Sequence, residues 1–119
     1  MGTWGGFSDD SVFHLLKLRP GSSGLFGYMH RGGQPVVLSI KNWECTDKRV
    51  LVLLDQSDPN PDGIEKVEGP AGWNSMKLTV SSPRGGQRQV VFHREDVRNQ
   101  MRNSLEERMG KLEGKGAGR

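Results

Sequence analysis

The sequence predicts an α+β domain that is mostly β: a five-stranded antiparallel sheet or small open barrel, followed by a C-terminal amphipathic helix. Three observations predict it. Short apolar runs rich in β-branched residues recur between turn-forming residues from Val12 to Arg94. From Val97 the apolar repeat changes from every second to every fourth residue, the spacing of one helix face. Glycine fills 17 of the 119 positions and only 33% of residues are hydrophobic, which suits one modest core joined by tight turns.

Residues 1–11 are Gly-rich and polar around Trp4 and Phe7, and read as a flexible N-terminal arm. A single β-rich domain is expected over 12–112. Its first strand is the run Val12 to Leu18, stopped by Arg19-Pro20-Gly21. Residues 20–34 read as a long Gly-rich loop. Val36 to Ile40 and Val50 to Leu54 are the second and third strands, too short and too β-branched for helices. Residues 55–75, with three prolines and three glycines, read as a second long loop. Met76 to Val80 alternates apolar and polar residues, a half-buried strand. Gly85-Gly86 signals a hairpin into a fifth strand, Gln89 to Arg94. Val97, Met101, Leu105, Met109 and Leu112 then form a helical stripe, with Glu95 and Asp96 at its start and Arg108 and Lys111 near its end, as the helix dipole favours. Residues 113–119 read as a flexible basic tail.

Charge and cysteine content narrow the function. Lys and Arg number 17 against 14 Asp and Glu, a net +3 that permits a polyanion partner without demanding one. The one cysteine, Cys45, allows no internal disulfide, so the chain reads as intracellular and cytoplasmic. No apolar run reaches membrane-spanning length, no signal-peptide pattern opens the chain, and no membrane partner is expected.

Catalytic and metal chemistry finds little footing. His14, His30, His93 and Cys45 show no ligand spacing. Asp58-Pro59-Asn60-Pro61-Asp62-Gly63 resembles the first half of a calcium loop, but Gly69 stands at position twelve, where a bidentate Glu belongs. Gly21-Ser22-Ser23-Gly24 lacks the Gly-Lys-Ser/Thr ending of a phosphate loop. No enzyme, metal or cofactor is therefore expected. Basic residues remain: Lys17 and Arg19 at the first strand's end, and Arg84, Arg88 and Arg94 around the Gly85-Gly86 hairpin. Alternation along a strand puts Arg88, Phe92 and Arg94 on one face, a ring between two guanidinium groups, with Val91 and His93 on the other. Such a face suits phosphate and base contacts. The alternative is that Phe92 is core and the arginines are solvated charges that protect a strand edge.

The stretches Leu78-Thr79-Val80-Ser81-Ser82-Pro83-Arg84 and Val91-Phe92-His93-Arg94-Glu95-Asp96-Val97 resemble the end of the carbon storage regulator (CsrA/RsmA) family, over residues 77–109. That family has an aliphatic strand ending in Ala-Pro-Lys and a Val-His-Arg-Glu-Glu-Ile-type junction into its helix. The resemblance implies five strands and a helix in an intertwined homodimer that binds single-stranded RNA. By the same resemblance, Phe92 and Arg94 would be fifth-strand contacts and Lys17 and Arg19 first-strand contacts. The chain departs from the family in its length, its N-terminal arm, its two long insertions and the four extra residues around Gly85-Gly86-Gln87-Arg88.

The expected function is that of a non-catalytic, nucleic-acid-binding regulator of single-stranded RNA, acting as a homo-oligomer. Lys17, Arg19, Arg84, Arg88, Phe92 and Arg94 are its binding residues. The alternative is a protein-interaction or assembly module that uses the sheet and the Met/Leu face of the helix.

Overall fold

Eight segments of the chain, rather than five, pair as strands: β1 Gly2–Phe7, β2 Phe13–Arg19, β3 Ser23–Met29, β4 Val36–Cys45, β5 Arg49–Leu54, β6 Lys66–Pro70, β7 Ser75–Ser82 and β8 Gly86–His93, with α1 at Gln100–Ala117. The computed structural model describes residues 2–8, 12–30, 32–55, 63–72, 75–82, 86–94 and 100–117, the side chains of 100–102 and 112–117 excepted. Each strand pairs antiparallel with the next, and β1 returns to β8, so the sheet closes into an up-and-down barrel.

The closing seam is short. Gly5 pairs with His93, and Ser8 bridges to Val90. Between them a Cβ on Gly6 would stand 1.9 Å from the Val91 carbonyl oxygen. Only glycine permits that approach, so the sequence Gly5-Gly6 in β1 is a condition of closure.

Strand alternation divides the side chains between two separate apolar clusters. Trp4, Val12, Leu16, Leu18, Phe26, Tyr28, Leu38, Val52, Leu78, Val90 and Phe92 belong to the larger one, inside the barrel. His14 shares this interior, its ring 5.9–6.3 Å from those of Phe26, Tyr28 and Phe92. Its Nδ1 donates to the Val12 carbonyl at 3.0 Å, which fixes the tautomer because a carbonyl can only accept. Phe13 and Leu15 point outward and are nevertheless fully buried. They meet Leu105 and Met109 of α1, with Leu25, Met29 and Val37 packed around them. Both faces of β2 are thus covered, which explains why Phe13 to Leu18 reads as a nearly continuous apolar run.

The helix lies very close to the sheet. A Cβ on Gly27 of β3 would come within 2.9 Å of both Leu105 Cδ2 and Met109 Cε. Burying one Leu and one Met contributes about 1.5–3 kcal/mol each, against the ordering of an 18-residue helix. Further along, β4 carries a bulge between Ile40 and Asn42, beyond which Trp43 packs against the interior cluster.

The expected five-stranded sheet or open barrel is therefore corrected to a closed eight-stranded barrel. The five anticipated strands are present as β2, β4, β5, β7 and β8. The three additional strands lie in segments read as arm and loops. β1 occupies the expected flexible arm, β3 the expected loop 20–34, and β6 the expected loop 55–75. The five-strand order implied by the family resemblance is not the one found. α1 runs on to Ala117, into the expected tail. The calcium-like segment 58–63 lies outside the described residues except for Gly63. Among the described residues, no helix is long and apolar enough to cross a membrane.

Interior and exterior positions of β8 should respond differently to truncation. Phe92 is wholly buried while Val91 is 40% exposed. Phe92→Ala is expected to cost about 3–5 kcal/mol and Val91→Ala no more than about 0.5 kcal/mol, as measured by urea unfolding. Equal costs would mean that the two faces of β8 have been assigned the wrong way round.

Candidate polyanion-binding rim

One end of the barrel collects the β2–β3, β4–β5 and β6–β7 hairpins, the start of β1 and the end of β8. Two of its hairpins are held by side-chain hydrogen bonds. In the first, Gly21 and Ser22 adopt positive φ, 75° and 60°, and Ser23 Oγ donates to the Pro20 carbonyl at 2.9 Å. Trp43 Nε1, reaching from β4, donates to the Arg19 and Ser23 carbonyls at 3.0 and 2.8 Å. These bonds fix the backbone that carries Arg19.

In the second hairpin, Thr46 Oγ1 accepts from the Lys48 and Arg49 amides at 3.2 and 3.0 Å, and the Thr46 amide donates to the Arg49 carbonyl at 2.9 Å. The Ala71 amide then donates to the Lys48 carbonyl at 3.0 Å, tying this turn to the β6–β7 connection. A Thr side chain closing a turn in this way leaves Lys48 exposed at the tip.

Arg94, just past β8, lies over the Trp4 ring with its guanidinium carbon 5.5 Å from the ring centroid. Trp4 itself is buried, so the pair covers the end of the barrel beside the seam. Lys17 pairs with Thr3 on the outer face, two residues before Arg19. Lys77 occupies the outer face of β7 opposite Val91. Cations therefore run round this rim on β2, β4–β5, β7 and β8. The described carboxylates among them are Glu44, Asp47 and Glu68, and Glu68 is engaged by Arg49 at 2.6 Å and Lys66 at 3.2 Å. Among the described residues of this rim cations outnumber carboxylates, and such a surface draws ions of the opposite sign at low ionic strength.

The expected binding residues are distributed as follows. Lys17, Arg19 and Arg94 come together on this rim. Arg88 pairs with Val80 near the opposite end of β8, and six residues of strand place it about 20 Å from Arg94 at about 3.3 Å per residue. Phe92 lies inside the barrel with no exposed surface, so its ring is not offered to a base. Arg88 and Phe92 do share a face of β8, but it is the inner face; Val91 and His93 are on the exposed one, and Arg94 lies exposed just past the strand. Arg84 lies outside the described residues. Lys48, Arg49, Lys77 and the clamp residue Trp43 were not anticipated. The basic turn Asp47-Lys48-Arg49 between two strand-like runs was the signal that could have found the first two.

No protein-family model matches the chain, and no curated protein or solved structure matches it significantly. The barrel and its rim are the basis for any functional reading.

The Glu68 carboxylate makes one feature of the rim pH-dependent. Its hydrogen bond from Arg49, and then that from Lys66, hold its pKa below the ordinary value of 4.5. A depressed carboxylate contributes stability that is present above its unfolded value and is lost as pH falls through the folded one. Arg49 is 61% exposed and Glu68 25%, so solvent screening keeps the contribution to no more than about 1 kcal/mol. Glu68→Gln should be slightly less stable than wild type at pH 7, and the two unfolding curves should converge as the pH is lowered well below 4.5. A gap that persists in acid would exclude the ion pairs as its cause.

Proposed function

We propose that this chain is a non-catalytic binding protein that grips a polyanion on the rim bearing Lys17, Arg19, Lys48 and Arg94, with single-stranded RNA as the ligand class. One observation carries the reading: cations from four separate parts of the chain gather on one barrel end, two of them on turns fixed by Trp43 and Thr46. Arginines on a fixed backbone suit phosphate, because their donors are already oriented. A flexible single strand can follow a curved rim that a rigid duplex could touch only at a point. Phe92 and Arg88 have no part in this reading.

A second reading, a protein-interaction or assembly module, has a different observation behind it. Phe7 and Val91 are 41% and 40% exposed, and the register places them opposite each other on the outside of the β1–β8 seam. Such an apolar pair favours contact with another protein surface.

The two readings diverge in salt. Wild type should bind a pool of single-stranded RNA at low salt and release it as salt rises. Arg19→Ala/Lys48→Ala, which removes two rim cations, should bind more weakly, with a log–log salt slope shallower by about 1.4, while Arg88→Ala leaves both unchanged. Absence of binding at low salt, or an effect of Arg88→Ala equal to that of the rim variant, would remove the RNA reading. Salt-independent self-association in its place would favour the assembly module.

A further inference from the structure

The guanidinium of Arg94, just beyond β8, is held flat against β1. A Cβ on Gly2 would stand 3.6 Å from its Nη2 and 3.8 Å from both Cζ and Nε. A point almost equidistant from those three atoms lies above the guanidinium plane rather than at its edge, so Gly2 meets the plane face-on. Two residues along β1, on the same side of the strand, the Trp4 ring centroid is 5.5 Å from Cζ. Trp4 is buried, so the seat is part of the core. Arg94 itself is exposed, and the face of its guanidinium turned away from β1 meets solvent.

We propose that this outward face is a stacking platform for one unpaired nucleobase, and that Arg94 thereby selects single-stranded nucleic acid over other polyanions on the rim. The inference rests on the polyanion reading and adds the part of the ligand that is not phosphate.

The orientation is what separates a base from a phosphate here. A phosphate takes a guanidinium in its plane, through the N–H donors along the edge. A guanidinium seated across Gly2 and Trp4 presents a face, and a planar, weakly hydrated cation stacks on the π face of any base. Hydrogen bonds along the edge of Arg94 do not compete with this, since they lie in the plane and stacking lies across it. The aromatic rings of Trp4 and Trp43 at this end are committed to the interior, and Phe92 is wholly enclosed, so the guanidinium takes the part of a ring. The phosphate contacts are next door. Gly2 pairs with Leu18, the residue between Lys17 and Arg19. A strand spacing of about 5 Å and a rise of about 3.4 Å per residue let one nucleotide set its base on Arg94 and its phosphate on Arg19 or Lys17.

Binding of an oligoadenylate and of an abasic strand of equal length to the full chain, at two salt concentrations, tests the proposal. Wild type should bind the oligoadenylate at least about fivefold more tightly, the low end of what one stacked base contributes. Arg94→Lys keeps the charge and removes the plane. It should bind both strands equally, with the wild-type salt slope. Arg19→Ala should weaken both strands alike and leave the preference intact. Equal binding of the two strands by wild type, or an undiminished preference in Arg94→Lys, would overturn the proposal and leave the polyanion reading standing. Failure of both strands to bind at low salt would remove that reading and the proposal with it. If Arg94→Lys does not fold, adenosine monophosphate and ribose phosphate titrated into the wild-type chain replace it. A ring-current shift of the Arg94 Nε–H resonance with adenosine monophosphate alone supports the proposal, and no shift, or the same shift with both, overturns it.

Discussion

Closure of the sheet is the constraint on which the rest of this molecule depends. Eight strands with a single covered face would leave two edges open, and the chain removes both by bringing β1 against β8. The approach is so tight at Gly6 that a methyl group would overlap the Val91 carbonyl. Once closed, inside and outside are set for every strand. His14 must then sit among Phe26, Tyr28 and Phe92, and Phe13 and Leu15 must face outward and find another cover.

That cover is α1, and its consequences differ from those of the barrel. The interior cluster draws on all eight strands and stands or falls with closure. The outer cluster draws on β2, β3, β4 and the helix. The barrel ends are a third region. There, inward-pointing positions reach solvent, so Arg94 can share the parity of Phe92 yet close the end by lying over Trp4. Hairpins fixed by Trp43 and Thr46 complete an end whose described charges are mainly positive.

Much of the fold was legible in the sequence, and the reasons for the misses are physical. β2, β4, β5, β7 and β8 announce themselves by β-branched runs such as Val50 to Leu54. β1, β3 and β6 are Gly-Thr-Trp-Gly-Gly-Phe, Ser-Gly-Leu-Phe-Gly-Tyr-Met and Lys-Val-Glu-Gly-Pro, whose glycines look like turns. At Gly6 and Gly27 the glycines serve close approach rather than turning, a distinction that only the neighbouring chain reveals. The helix stripe was legible through Leu105 and Met109, which are buried as its period required. The candidate site was half legible. Lys17, Arg19 and Arg94 do share a rim, but nothing in the alternation of β8 says which of its faces turns inward, since Val90 and Phe92 on one side are answered by Val91 on the other.

The most direct test of this account is a set of cross-strand nuclear Overhauser contacts in the full chain in solution. A closed barrel predicts contacts between the backbones of Gly5 and His93 and between those of Ser8 and Val90, alongside the hairpin contacts of every neighbouring pair. If the seven neighbour pairings are present while those two are missing, the sheet is open and the claim of closure is contradicted.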